Sequence, residues 1–184
     1  MSQRIPRLEM ADFPAELAAY LAPRVKRLGY LGEFFKCAGN APEVLLTFMQ
    51  FTEALKKALP DKLTEVVALS VAGLMGNRYE LHQHERLSFK LGFGKDWVAA
   101  LDALDPDHQP KLSEVERLAQ NYTIAAVKTH GRSAAREFEA LANALIPSEA
   151  VAVVMLIGRY MTHAVAVNTL QLKPPVPSIF DEAA

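Results

Sequence analysis

Residues 64–84 read TEVVALSVAGLMGNRYELHQH: an apolar run, a bend bearing Gly73 and Gly76, and a polar turn. Three ionisable side chains mark it, Glu65, Glu80 and His84. Glu80 and His84 are four apart, so a helix stacks them on one face, and Asn77 joins that face three residues earlier. The two glycines are helix breakers there. A helical hairpin bent near Gly76 would bring Glu65 against Glu80 and make a cluster of two carboxylates and one imidazole.

Each member also has a plainer reading. Asn77-x-x-Glu80 is the pattern of a capping box, with Asn at the N-cap and Glu at N3. Glu65 stands one turn into an apolar helix, where a charge needs a partner, a cavity or the helix N-terminus. Two close carboxylates cannot both ionise freely, so the pattern suits a general acid or base. The helix N-terminus stabilises the Glu80 anion, leaving Glu65 as the better candidate for a raised pKa. His82 is two residues from Glu80 and from His84 and points elsewhere on a helix, so no metal site is expected.

Composition narrows the class. The chain has 184 residues, enough for one domain with a sizeable core, and 51% of them are hydrophobic. Lys plus Arg is 20 and Asp plus Glu is 21, so no net field recruits nucleic acid or an anionic membrane. A single cysteine, Cys37, cannot form an internal disulfide and fits a reducing cytosol. It is expected as a small buried hydrophobe rather than a reactive thiol. The N-terminus has no apolar signal-peptide core, and the apolar run 150–158 is shorter than a membrane span. A soluble cytoplasmic protein is expected.

The periodicity gives helices and no strands. Helices are expected over 14–22, with Pro23 stopping the first, then over 24–38, from about 42 to 59, from Pro60 onward, and from Asn77 to Leu91. Further helices are expected over 96–104, from a Ser113/Glu116 capping box to about Lys128, over 133–145 and over 148–171. The fold class is therefore all-α with about eight helices, in one domain over 1–184. Its core spans about 40–171 between an N-terminal arm and a proline-rich C-terminal tail. The tail is expected to lie on a neighbour or stay mobile. Arg159 and His163 share one face of the last long helix and could reach the same pocket. A substrate carboxylate needs such a cation, and Arg78 is the alternative nearer in sequence.

The spacing of Glu65, Asn77, Glu80 and His84, with the string NRYELHQH, resembles the carboxymuconolactone decarboxylase and alkylhydroperoxidase D superfamily. In its alkylhydroperoxidase branch a Glu precedes a Cys-x-x-Cys, with a His four residues after the second Cys. Here Asn77 and Glu80 stand at the two cysteine positions, so the resemblance is to the decarboxylase branch and dithiol peroxidase chemistry is not expected. The resemblance implies an alkylhydroperoxidase D-like helical fold and a homo-oligomer, trimer or hexamer. It implies a lyase-like enzyme acting by proton transfer or decarboxylation on a small carboxylated lactone or carbonyl compound, without an organic cofactor. Glu65, Glu80 and His84 are then the catalytic candidates, and Asn77, Arg78, Arg159 and His163 the substrate-binding ones. The alternatives are peroxidase-type antioxidant activity and a non-catalytic oligomeric protein that binds a small molecule.

Overall fold

The computed structural model describes residues 4–181, which are helical with no strand among them. The chain divides into two compact units, with the boundary between Ala54 and Leu55.

In the first unit, helix α1 (Ala15–Leu28) passes through Pro23, where the sequence suggested a stop. The carbonyl that Pro23 cannot pair belongs to Ala19, an exposed residue, and an unpaired carbonyl costs less on an exposed helix face than in the core. The helix ends instead at Gly29, with φ at 81°, the left-handed cap that glycine tolerates. Helix α2 (Glu33–Ala38) follows. The N-terminal arm packs on it. The Leu8 N–H donates to the Lys36 carbonyl, and Arg7 and Glu9 pair with Glu33 and Lys36. Cys37 is buried in α2, and burial pushes its thiol pKa up. Helix α3 (Pro42–Ala58) runs across the boundary.

The second unit is built around helix α4 (Asp61–Leu74). Every residue from Leu63 to Ala72 is buried, as expected of a helix apolar nearly all round. Against it pack α5 (Arg78–Lys90), α6 (Lys95–Asp102), α7 (Glu114–Thr129) and α9 (Pro147–Leu170), with α8 (Ala135–Ala142) lying on α7 and α9. The α4–α5 bend turns on Gly76 alone, at φ 63°. Gly73 stays helical. The Ser113/Glu116 capping box opens α7 as its sequence indicates.

Helix α9 is long and apolar enough to cross a membrane, with a mean hydropathy of 1.7 over its best window, yet 56% of that window is buried inside the protein. It also carries Arg159 and His163 on its buried side, which marks a core helix.

The C-terminal tail lies on its own chain, along α5. His82 Nδ1 is 3.1 Å from the Val176 carbonyl, and Arg86 donates to the Pro177 carbonyl. The buried Glu85 carboxylate accepts from the Ser178 hydroxyl and the Ile179 N–H. Neither docking on a neighbour nor mobility is needed, because α5 offers side chains that satisfy the polar groups of a proline-rich segment poor in donors. Burial, helped by the Glu85 charge, pushes the nearby Asp102 carboxyl up to about 7.

Candidate active site

Helices α4, α5 and α9 each contribute one face to a buried polar network within the second unit. α4 supplies Glu65, one turn inside its N-terminus. α5 supplies Glu80, His84 and Ser88, spaced four apart along one stripe. α9 supplies Arg159, Tyr160 and His163. All seven are buried, so each must find a polar partner.

His84 sits at the centre. Its Nδ1 is 2.7 Å from Glu65 Oε2, which also accepts from the Ser88 hydroxyl at 3.1 Å. Its Nε2 is 3.3 Å from the Tyr160 hydroxyl and 3.7 Å from Glu80 Oε2. Glu65 and Glu80 therefore do not meet directly as the sequence suggested. The imidazole stands between them, because His84 lies one turn farther from the Gly76 bend than Glu80 and so closer to the level of Glu65 on α4.

Glu80 is not the reciprocal half of a capping box. Asn77 does cap α5, its Oδ1 accepting from the Glu80 N–H at 3.2 Å. The Asn77 N–H, however, is taken by the Ala72 carbonyl across the bend. That leaves the Glu80 carboxylate to α9, where Arg159 Nη1 donates to Oε1 at 3.0 Å and His163 Nδ1 lies 3.3 Å from the same oxygen. Arg78, the other candidate cation, is exposed. It sits two residues before Glu80, so the helix turns its side chain away from the network.

The electrostatics separate the two carboxylates. Burial alone pushes the Glu80 carboxyl up, but the charges of His163, Arg159 and His84, with the Arg159 hydrogen bond, outweigh it and hold Glu80 well below the usual carboxylate range. Burial pushes His163 down to about 4, against the pull of Glu80 and with the help of Arg159 and His84. Near neutral pH His163 is therefore uncharged, and Arg159 is the standing cation beside Glu80. Two groups face His163 Nδ1, the Glu80 carboxylate at 3.3 Å and the Asn77 amide nitrogen at 3.4 Å, and the ring tautomer decides which of them it pairs with.

A depressed histidine has a consequence for stability. Between its unfolded value of about 6.5 and its folded value of about 4, the unfolded chain binds a proton that the native chain does not. That contribution is fully present above about 6.5 and is lost as pH falls towards 4, by at most about 3 kcal/mol. His163→Gln should therefore lose less stability than wild type on acidification. Urea unfolding at about pH 7 and about pH 5 checks this, and equal acid losses in the two proteins would contradict it.

Ser88 and Tyr160 escaped the sequence reading, although both carried a helical signal. Ser88 continues the Glu80–His84 spacing by one turn, and Tyr160 precedes His163 by three residues. His82 faces the tail instead of the network. Among the described residues no group of three His, Cys, Asp or Glu side chains is arranged to hold a metal ion.

Residues 42–121 match the model of the carboxymuconolactone decarboxylase family, a span that includes Glu65, Asn77, Glu80 and His84. The fold matches the alkylhydroperoxidase AhpD core of an uncharacterised peroxidase-related protein from Ralstonia eutropha JMP134. The TM-score is 0.81 at 14% identity, covering 93% of this chain and 91% of that one. Segment 42–121 thus resembles the carboxymuconolactone decarboxylase family, and the chain shares the fold of the alkylhydroperoxidase AhpD core. Another structure with the same fold, the debrominase Bmp8 without ligand, matches with a TM-score of 0.81 at 16% identity. That match covers 96% of this chain and 94% of that one. A variant of Bmp8 in complex with 2,3,4-tribromopyrrole has the same fold. No curated protein sequence matches the chain. Arg159, Tyr160 and His163 lie outside the matched family segment, so the α9 half of the network rests on the three-dimensional structure.

Proposed function

We propose that the protein is an acid–base enzyme of the decarboxylase-like type, acting on a small carboxylated lactone or carbonyl compound without an organic cofactor. The observation that carries this reading is the 2.7 Å contact of His84 Nδ1 with Glu65 inside the core. A carboxylate only accepts, so it fixes the ring with a proton on Nδ1 and leaves Nε2 to take up or release one. In a decarboxylation the C–C bond to the carboxylate breaks, CO2 departs, and the electron pair stays behind as a dienolate. Protonated His84 supplies the proton that forms the new C–H bond.

Glu80, ionised beside Arg159, serves as the counter-charge and not as the proton donor. Arg159 already pairs with one carboxylate, and a substrate carboxylate of the same charge and shape would compete for it, with Asn77 and His163 alongside. Release of CO2 from a small carboxylated lactone by the purified protein tests the reading. No release at any pH at which the protein stays folded would refute it.

Alkylhydroperoxidase-like activity has less support. Dithiol chemistry needs an attacking and a resolving thiol, and the sequence holds one cysteine, buried with its thiol pKa raised. We also propose that the protein is cytoplasmic and a homo-oligomer, trimer or hexamer. Val151, Val154, Met155 and Val165 leave an exposed apolar stripe along α9, which favours association. Light scattering should give a mass that is a multiple of the 20.3 kDa chain; a monomer at micromolar concentration would overturn this.

A further inference from the structure

We propose that Tyr160 is a positioning residue that sets the protonation state of His84, holding Nε2 as an acceptor in competition with Glu80. Two groups face that nitrogen and ask opposite things of it. The Tyr160 hydroxyl, 3.3 Å away, donates to a bare Nε2 and would have to turn and accept from a protonated one, the weaker role for a phenol beside the Arg159 cation. The Glu80 carboxylate, 3.7 Å away, gains only from a protonated one. Glu65 fixes the other side of the ring in both cases.

The surroundings tilt the competition towards Tyr160. Its ring meets His84 edge-on, with centroids 5.3 Å apart at 84°, so the hydroxyl is aimed. The Arg159 guanidinium carbon stands 4.3 Å from the centre of the Tyr160 ring. A cation there stabilises negative charge on the phenol and makes its O–H a stronger donor. The same guanidinium draws Glu80 away from His84 by holding Oε1 at 3.0 Å. The charged and titratable groups around His84 are Glu65 from α4, Glu80 from α5, and Arg159, Tyr160 and His163 from α9. Of these, only Tyr160 and Glu80 compete for Nε2. Removing either should therefore move the ring in a direction fixed in advance.

This inference rests on the reading of His84 as the proton carrier, but it is tested without substrate, so the two can fail separately. The experiment follows the imidazole nitrogens of His84 by NMR against pH in the intact 15N-labelled protein. The neutral wild-type ring should carry its proton on Nδ1. Tyr160→Phe should raise the pH at which the ring titrates by roughly half to one unit, the scale of one ordinary buried hydrogen bond. Glu80→Gln should lower it. A Tyr160→Phe ring that is unmoved, or that moves in the same direction as in Glu80→Gln, overturns the proposal. So does a neutral wild-type ring protonated on Nε2, a result that stands even if Tyr160→Phe fails to fold.

Discussion

Arg159→Met is expected to lower stability by about 3–5 kcal/mol, the usual result of stripping one partner from a buried ion pair. Both Arg159 and Glu80 are buried, their 3.0 Å contact is within the core of the second unit, and methionine leaves Glu80 with no standing cation. For a chain of this size that corresponds to a fall in melting temperature on the order of 10 °C. Much of the loss measures the abandoned carboxylate and not the worth of the pair. Accordingly, the double replacement Arg159→Met with Glu80→Met should recover most of the stability, since a buried pair exchanged for apolar groups of similar volume is often neutral. Denaturant unfolding of the four proteins in this cycle checks both statements. A single variant costing less than about 1 kcal/mol, the range of exposed pairs, would show that solvent screens the contact.

Glu65→Gln is expected to act the other way round, sparing the fold and removing the chemistry. Glutamine fills the same space and its carbonyl can still accept from Ser88, so the melting temperature should move little. The amide no longer carries the charge that favours a protonated imidazole, and its NH2 can turn to His84 and stabilise the wrong tautomer. Turnover of a carboxylated lactone should fall by roughly 100-fold or more, the contribution of a positioned acid–base pair. A folded Glu65→Gln protein that keeps turnover within a few-fold of wild type would remove Glu65 from the mechanism. Arg159→Met thus reports on the ion pair through stability, and Glu65→Gln on the relay through rate.

The segment 64–84 already held much of this. Ten consecutive buried positions in α4 follow from an apolar run with almost no polar face. The stacking of Glu80 above His84 follows from helical geometry alone. The Asn77 cap, the Ser113/Glu116 box and the all-helical class were legible for the same reason: each depends on residues within one or two turns of one another, where spacing dictates contact.

What the sequence could not determine is where a side chain goes once two partners compete for it, or once its partner is far away in the chain. Glu80 had a local claim, the N–H of Asn77, and a distant one, Arg159, separated from it by 79 residues. The distant one prevailed because the bend at Gly76 gives the Asn77 N–H to Ala72, and because a buried carboxylate gains more from a guanidinium than from an amide. The choice of Arg159 over Arg78 has the same origin. Proximity in sequence counted for less than the packing of α9 against α4, which turns Arg159 inward while the helix turns Arg78 out. The C-terminal tail likewise found its partners on α5, through contacts spanning more than ninety residues. The sequence alone determined the all-helical class and the stacking of Glu80 and His84 on one helix face. Only the tertiary structure decided which cation pairs with Glu80 and which hydroxyl meets His84, because both depend on long-range packing that no local spacing encodes.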